Sequence, residues 1–308
     1  MSEDGAGGVA RDAWMACTRR GDFAGAWAIS DALLQEPAQP WRPRHYQSIW
    51  RGERLHDRRV LIRCYHGLGD TIQFIRYAPQ VRAIAREVIV WAPAALLPLL
   101  RRVEGVDVVL ELHDGDPGIA HDVDVEVMEL PHVFRSTLDT LPRRIPYLYT
   151  PGRRVPGGPP RIGLFWRGGS WEPRRWMRFD DARRLLDVEG VTWCSLEPDH
   201  GAGGRDPRMV DLGDGDLSDL AARVSQLDLV ITVDSMPAHL AGALGIQVWT
   251  LLPRLADWRW LENRDDTPWY PTMRLFRQDR EGEWRPVVDR VACAVRHFKQ
   301  LYEDVTAA

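Results

Sequence analysis

The chain has 308 residues, enough for two domains of ordinary size. Its 40 basic and 44 acidic residues give a formal net charge of −4, which excludes a nucleic-acid-coating protein because such proteins need a basic excess. Among the cationic residues only Lys299 is a lysine. This excludes a Walker A loop, a protein kinase and a pyridoxal Schiff base, each of which needs a lysine at a specific position.

The cysteine pattern and the start of the chain predict a cytoplasmic protein. The four cysteines are widely spaced without a CxxC pair, and the acidic start is unlike a secretory signal. The longest aliphatic stretch, 94–100, is interrupted by Pro98 and too short to span a bilayer. The nine histidines show no HExxH or comparable spacing, so we expect no dedicated zinc site. We also expect no cofactor.

Residues 11–35 carry two short helical patterns that are separated at Gly21 and Asp22. The phrase Arg20-Gly-Asp-Phe23 followed by Ala26 is typical of one helix-turn-helix unit of tetratricopeptide type. One unit cannot bury both of its faces. We therefore expect residues 1–40 to form a helical hairpin that packs on the body that follows or on a partner.

The rest of the chain alternates strands and helices in two blocks, 41–150 and 161–308. In the first block the strands are predicted at 60–65, 88–91, 106–110 and 123–127, and the helices at 71–82 and 94–102. In the second block the strands are predicted at 162–166, 191–196, 229–233 and 248–252, and the helices at 179–186, 217–226, 237–244 and 286–302. Such alternation predicts a parallel sheet covered on both faces in each block.

A linker is predicted between the two blocks, at residues 151–160. The stretch 150–160 contains four prolines and three glycines, a composition that neither a strand nor a helix tolerates. Two α/β domains joined by such a hinge are expected to face a cleft, which is the default ligand site.

The motif His66-Gly-Leu-Gly-Asp-Thr71 follows the first strand of the first block. Gly67 and Gly69 allow a tight turn and a close approach to a ligand, and the next helix points its N-terminus at the same place. It is not a dinucleotide fingerprint, because Ile72 replaces the third glycine and no acidic residue follows the second strand. Asp70 is either the N-cap of the helix or a carboxylate at a strand tip that accepts a proton.

The motif Asp234-Ser-Met-Pro-Ala-His239 joins a buried strand to a helix. Pro237 suits the first helical turn, and Asp234 or Ser235 suits the cap. The N–H groups at such a helix start favour a phosphate or diphosphate. His239 either makes a structural hydrogen bond or donates to the same anion.

Two further segments each allow a structural and a functional interpretation. The loop 166–178 contains four arginines, which are either solvated or form a clamp on diphosphate oxygens. Asp257-Trp-Arg-Trp260 and the segment 265–271 combine carboxylates with aromatic rings, which either fill a core or bind a sugar. Four of the 14 tryptophans lie between Trp249 and Trp269, which favours a sugar site.

Three blocks of the sequence resemble one known family. They contain Ser48-Ile-Trp50 with the stretch 66–79, the stretch 232–245, and Asp257-Trp-Arg-Trp260 with the stretch 268–278. From Trp41 to the end, the chain resembles the C-terminal glycosyltransferase part of bacterial tetratricopeptide proteins, which is related to the heptosyltransferases of glycosyltransferase family 9.

The resemblance implies a GT-B fold, in which two Rossmann-like domains face a cleft, with 41–150 binding the acceptor and 161–308 the donor. It also implies inverting, metal-independent transfer of a sugar, with heptose as one candidate, from a nucleotide-diphosphate sugar to an acceptor hydroxyl; an ADP-linked donor is favoured. The LGD motif of the family falls on Leu68-Gly69-Asp70, which makes Asp70 the candidate general base. The D[TS]xxxH motif falls on Asp234, Ser235 and His239, around the donor diphosphate.

The expected catalytic residues are Asp70 and His239. The expected donor-binding residues are Arg167, Arg174, Arg175, Glu197, Asp234, Ser235, Met236, Pro237 and His239, with Arg174 or Arg175 in the family's cationic position and Glu197 on the ribose. The expected acceptor- or sugar-binding residues are His66, Gly67, Gly69, Thr71, Gln73, Asp257, Trp258 and Trp260.

The chain departs from the family at three points. Gly169 stands where relatives commonly have Asn, Glu197-Pro198 replaces a frequent Gln-Lys, and one tetratricopeptide-like unit precedes the catalytic part. Two alternatives stay open: an epimerase or hydrolase of the same fold, and a non-catalytic module that holds a nucleotide sugar and recruits a partner. A glycan, a protein and a small molecule are all candidate acceptors.

Overall fold

The structure is a computed structural model that describes residues 3–35, 50, 53–152, 157–169, 172–197, 206–213 and 215–306. By their contacts the residues form two compact units. The first comprises Met1–Arg144 and Asp257–Arg264, and the second comprises Ile145–Ala256 and Asp265–Ala308. The expected linker at 151–160 falls partly on residues 153–156, which lie outside the described residues.

The first unit contains a helical hairpin and a parallel α/β sheet. Its helices are α1 (Glu3–Arg20), α2 (Phe23–Gln35), α3 (Leu68–Phe74), α4 (Ala78–Arg82), α5 (Leu97–Leu100) and α6 (Leu130–Val133). Its strands are β1 (Leu55–Arg63), β2 (Ala85–Ala92), β3 (Val108–Glu111) and β4 (Val123–Glu126), in the parallel order β3-β2-β1-β4. The predicted helix at 71–82 is divided by a 3-10 turn at Ile75–Tyr77, after which α4 restarts with Pro79 in its first turn.

The second unit contains a larger parallel sheet. Its strands are β5 (Arg161–Phe165), β6 (Thr192–Ser195), β7 (Met209–Asp211), β8 (Leu229–Val233), β9 (Gln247–Leu252) and β10 (Met273–Arg277), in the order β10-β9-β8-β5-β6-β7. Its helices are α7 (Phe179–Ala182), α8 (Leu217–Val224), α9 (Met236–Ala243) and α10 (Arg285–Thr306). Sequence reasoning missed β7 and β10, which are the two edge strands and lack the continuous apolar run of a central strand.

Continuous apolar runs place the central strands in the core. All five residues of β8 are buried, as are Val60, Leu61 and Ile62 of β1. The last helix, α10, packs one apolar stripe on the second sheet, with Val287, Val291 and Val295 fully buried at four-residue spacing. Within the described ranges, no helix is both long enough and apolar enough to cross a membrane.

The helical hairpin packs on the rest of the first unit. Its turn uses Gly21, whose φ of 81° lies in the left-handed region that favours glycine after a helix. The indole of Trp27 donates to the carbonyl of Ser136 at 2.7 Å. The carboxylate of Asp31 receives two 2.8 Å hydrogen bonds from Arg135 and lies 2.9 Å from His132. The body that follows therefore covers one face of the hairpin, whereas its tetratricopeptide assignment stays a prediction.

Candidate functional site

Each sheet has a topological switch point, where successive strands stop being added on one side of the first strand and are added on its other side. In the first sheet β1 lies between β2 and β4, and in the second sheet β5 lies between β6 and β8. The loops that follow the two adjacent strands diverge there and leave a crevice at the carboxyl ends, where α/β proteins bind ligands. Each unit therefore has one candidate ligand site, after β1 and β4 or after β5 and β8.

In the first unit, Asp70 lies in the first turn of α3, just after the loop that leaves β1. The N-cap is Gly67, and the Oδ2 atom of Asp70 accepts a 3.1 Å hydrogen bond from the Gly67 N–H. This corrects the N-cap interpretation of Asp70. Asp70 is the third residue of the helix, and its carboxylate accepts a hydrogen bond from the backbone N–H of the N-cap residue. The side chain of Asp70 remains 22% exposed, so the carboxylate can also contact a ligand.

The glycines of this loop are used differently from what the sequence suggests. Gly67 has an ordinary φ of −63°, and Gly69 is the second residue of α3. A Cβ atom on Gly67 would lie 3.2 Å from the Oδ2 atom of Asp70. The advantage of glycine at position 67 is therefore room for the Asp70 carboxylate rather than a special backbone conformation.

Arg259 holds the other oxygen of Asp70. Its Nη1 atom lies 2.8 Å from Asp70 Oδ1 and 2.9 Å from Gln73 Oε1, and its Nε atom donates to Asp257 Oδ1 at 2.8 Å. The Arg259 side chain is only 8% exposed. The rigid guanidinium fork therefore fixes both carboxylates at once. Sequence reasoning missed Arg259, although it stands in the middle of the Asp257-Trp-Arg-Trp260 motif.

The tryptophans of that motif lie in the core of the first unit. Trp258 is packed against the rings of Trp14, Phe23 and Phe74, at centroid distances of 5.4, 6.2 and 6.2 Å. Trp260 is fully buried. These rings present no open face to a sugar, which corrects the sugar-stacking role expected of them. Two other expected acceptor residues, Thr71 and Gln73, are also fully buried, and Gln73 acts on the site through Arg259.

His66 follows β1 and faces Glu126 at the end of β4. The His66 Nε2 atom lies 3.8 Å from Glu126 Oε1, with 40% of the His66 side chain but only 1% of the Glu126 side chain exposed. Burial lowers the pKa of His66, and the negative charge of Asp70 opposes this shift. Burial raises the pKa of Glu126 to about 8, and the charges of Glu129 and Asp70 add to this shift.

Glu126 did not enter the expected site because nothing in its local sequence marks it. It ends a four-residue strand that alternates Val, Asp, Val and Glu, and a charged residue in such a pattern predicts the solvated face of the strand. In the structure β4 pairs with β1, and Glu126 is 3% exposed.

In the second unit, the junction from β8 to α9 presents an uncapped helix N-terminus. Ser235 is the N-cap of α9, but its side chain makes no cap hydrogen bond. Its hydroxyl instead bonds Thr232 Oγ1 at 2.9 Å and the Val233 carbonyl at 3.0 Å. Met236 and Pro237 form the first helical residues. The partial positive charge of this helix end favours an anion, as the sequence predicts.

Of the arginines in the 166–178 loop, Arg175 reaches this junction. Its Nη1 atom lies 3.5 Å from Asp234 Oδ2, and both side chains are buried. Arg174 is 60% exposed and forms an ion pair with Glu172, at 2.7 Å. Of the two arginines expected in the family's cationic position, Arg175 is therefore the one beside Asp234, and its contact with a donor stays a prediction. A third, Arg178, is exposed beside Asp180.

Glu197 is buried behind the loop that follows β5. Its Oε1 atom accepts hydrogen bonds from the N–H groups of Trp166 at 3.0 Å and Arg167 at 2.8 Å, and Arg167 Nε lies 3.4 Å from Oε2. Burial raises the pKa of Glu197, and the hydrogen bonds from Arg167 and Trp166 oppose the shift. The carboxyl group therefore holds this loop in place, and its expected contact with a ribose stays a prediction.

His239 is buried in α9 and contacts Tyr270. The Nδ1 atom of His239 lies 3.0 Å from the Tyr270 hydroxyl, which is 3.3 Å from the Tyr147 hydroxyl. This contact supports the structural interpretation of the histidine. A role for His239 on an anion stays a prediction.

A comparison with curated proteins finds a bacterial relative of the chain. No protein-family model matches it. It is 27% identical over 289 residues to Protein FlbA of Caulobacter vibrioides, an alignment that covers 81% of this chain and 48% of FlbA. The chain thus spans about half the length of the curated relative that it matches.

Two solved structures have a similar backbone over most of the chain. The Escherichia coli ADP-heptose lipopolysaccharide heptosyltransferase II matches with a TM-score of 0.58 and 15% identity, covering 80% of this chain and 99% of that chain. TibC, a dodecameric iron-containing heptosyltransferase of enterotoxigenic E. coli, solved with ADP-D-β-D-heptose, matches with a TM-score of 0.57 and 14% identity, covering 81% of this chain and 78% of that chain. Because the sequence identity is so low, these matches concern the backbone alone. They show that the chain has the α/β fold of the heptosyltransferases.

Proposed function

We propose that the chain is an inverting, metal-independent glycosyltransferase that moves a sugar from a nucleotide-diphosphate sugar to an acceptor hydroxyl. The observation that carries this proposal is the Asp70 carboxylate at the switch point of the first sheet, held by Gly67 and Arg259 and open to a ligand. The heptosyltransferase fold supports it. Because the names of these two solved structures refer to ADP-heptose, we propose an ADP-linked donor, with heptose as one candidate sugar.

In the first unit, Asp70 is the general base. The acceptor hydroxyl gives its proton to the carboxylate as its oxygen attacks the anomeric carbon of the donor sugar. Attack from the side opposite the leaving diphosphate inverts the configuration at that carbon. Gly67 and Arg259 hold the carboxylate in one orientation, which lowers the entropic cost of this step.

In the second unit, the junction of β8 and α9 receives the leaving diphosphate. The uncapped N-terminus of α9 and the guanidinium group of Arg175 supply positive charge where negative charge develops. Asp234 orients Arg175, and Glu197 holds the neighbouring loop. In this proposal arginine and helix dipole take the role that a metal ion has in other transferases.

Transfer requires the two sites to act on the same anomeric carbon. We therefore also propose that the two units bind the substrates in a cleft between them. Exclusion of water at that stage limits hydrolysis of the donor, because water is a competing acceptor. We also propose that the chain acts in the cytoplasm. Its acceptor is a glycan, a protein or a small molecule.

The first test is the thermal stability of the full chain with ADP, UDP, GDP and their sugars. A ligand that binds only the folded state raises the unfolding temperature. We expect a rise with the ADP series that is absent in Asp234→Ala, with the exposed Asp180→Ala as the matched control. No rise with any nucleotide contradicts the donor site.

The second test is turnover. Wild-type chain, Asp70→Asn and the matched control Asp107→Asn, whose carboxylate pairs with Arg82 at the surface, are incubated with ADP-heptose and panels of glycan, peptide and small-molecule acceptors. We expect an acceptor-dependent product that Asp70→Asn reduces about 10²- to 10⁴-fold. Consumption of donor without an acceptor would indicate the epimerase or hydrolase, and binding without turnover would indicate the non-catalytic module.

A further inference from the structure

We propose that Glu126 is a positioning residue of the first-unit site, which fixes the imidazole of His66 so that the ring can donate a hydrogen bond to the acceptor hydroxyl. This inference rests on the proposed function, because it assigns a hydroxyl-bearing acceptor to the same site. His66 would touch the substrate, and Glu126 would act through His66.

The topology brings the two side chains together. Glu126 is the last residue of β4 and pairs in register with Arg63, the last residue of β1. His66 follows three residues later, at the start of the loop that carries Asp70. Both residues therefore lie at the crevice between the carboxyl ends of β1 and β4, where the direction of strand addition changes.

The Glu126 carboxyl group has one engaged and one unengaged oxygen. Its Oε2 atom accepts a 2.6 Å hydrogen bond from the Met128 N–H. Its Oε1 atom is buried without a hydrogen-bond partner, and the His66 Nε2 atom lies 3.8 Å away. A buried carboxyl oxygen without a partner costs free energy, so a small rotation of the partly exposed His66 ring that closes this gap is favourable.

Burial, together with the surrounding charges, determines which of the two groups holds the proton. Burial disfavours a negative charge on Glu126, as do the charges of Glu129 and Asp70. The buried Cys64 thiol lies close enough to be affected by the same carboxyl. Burial disfavours a positive charge on His66 and outweighs the opposing effect of the Asp70 charge, while the charge of Arg259 adds to the effect of burial. At neutral pH the stable arrangement is therefore a carboxylic acid beside a neutral imidazole.

A neutral pair of this kind selects one tautomer of His66. If the Glu126 O–H donates to Nε2, the ring hydrogen must reside on Nδ1. The Nδ1–H group can then donate to the oxygen of an acceptor hydroxyl, whose own hydrogen remains directed towards Asp70. No bond other than hydrogen bonds changes in this step, and the proton transfer itself still ends on Asp70.

The test combines nitrogen-15 NMR of the histidine tautomers with kinetics on the full chain. His66→Gln identifies the His66 signals. We expect Nδ1–H in wild type, loss of this tautomer preference in Glu126→Leu, and its retention in Glu126→Gln, whose amide can still donate. Glu104→Gln, which changes an exposed carboxylate that pairs with Arg144, is the matched control and should leave the tautomer unchanged.

In kinetics we expect Glu126→Leu to raise the acceptor KM about tenfold, in line with the loss of one hydrogen bond, and the donor KM to stay constant. Adding His66→Gln to Glu126→Leu should cause little further loss, because both changes remove the same contact. Glu126→Gln should restore the acceptor KM and, since it cannot ionise, extend activity above pH 8.

An unchanged His66 tautomer in Glu126→Leu overturns the inference. If Glu126→Leu does not fold, equal pH profiles of wild type and Glu126→Gln overturn it instead. A wild-type chain that shows the expected tautomer but no turnover with any acceptor contradicts the proposed function and leaves the pairing of Glu126 with His66 standing.

Discussion

Arg259 and Asp70 form an ion pair of 2.8 Å although they come from opposite halves of the chain. The segment Asp257–Arg264 follows strand β9 of the second unit, but its contacts place it in the first unit. The carboxylate that we propose as the general base is therefore oriented by a residue that the chain supplies from its distant C-terminal half.

Replacing this arginine should destabilise the first unit. Arg259→Met leaves Asp70 and Asp257 without their shared cation, and we expect a loss of about 2–3 kcal/mol in the free energy of unfolding. The value lies below that of a fully buried pair because these carboxylates are 22% and 23% exposed. Arg144→Met is the control: its pair with Glu104 has the same 2.8 Å distance but is exposed, so its loss should stay below about 1 kcal/mol.

Urea unfolding followed by circular dichroism measures both changes. Equal losses in Arg259→Met and Arg144→Met would contradict the structural role of Arg259.

Arg175 and Arg174 should differ in their effect on nucleotide binding. Arg175 lies at the junction of β8 and α9 beside Asp234, whereas Arg174 is exposed and paired with Glu172. Under the proposed function, Arg175→Met should weaken ADP binding about 10- to 100-fold, the value of one charged hydrogen bond. Arg174→Met should change it less than about twofold. Isothermal titration calorimetry with ADP gives both constants, and the reverse order would place the diphosphate elsewhere.

Gly242 and Gly8 should respond to alanine in opposite directions, although both lie inside helices. A Cβ on Gly242 would lie 2.5 Å from Cδ1 of the Tyr270 ring, so Gly242→Ala should destabilise by about 1–3 kcal/mol. A Cβ on Gly8 meets nothing within 4 Å, so Gly8→Ala should stabilise α1 by up to about 1 kcal/mol. Thermal unfolding tests both. A neutral Gly242→Ala would show that α9 packs less closely on Tyr270.

The ionisation of Glu126 should make the folded chain less stable as the pH rises. The folded state raises the pKa of this carboxyl from 4.5 to about 8, so the unfolded chain releases the proton first. The contribution of Glu126 is complete below pH 4.5 and is lost as the pH rises towards 8. Glu126→Gln does not ionise, so its stability relative to wild type should increase between pH 5 and 8.5 by more than about 1.4 kcal/mol, the equivalent of one pKa unit.

Urea unfolding at several pH values measures this difference. A constant difference between Glu126→Gln and wild type across the range would show that Glu126 is solvated in the folded state.

Local sequence determined the elements and the loops that carry the chemistry. The apolar run at 229–233 predicts β8, and the motifs that follow β1 and β8 indicate the two strand ends at which the candidate sites lie. These features are local because backbone geometry and side-chain periodicity act over a few residues.

Tertiary structure decided which side chains meet at those strand ends. The sheet order places Glu126 beside His66, and the return of segment 257–264 to the first unit places Arg259 on Asp70 and buries Trp258. None of these contacts can be predicted from the local sequence, because an aspartate, a glutamate or a tryptophan can occur either in a core or in a binding site. Burial and the positions of charges, which arise only when distant segments pack together, distinguish the two.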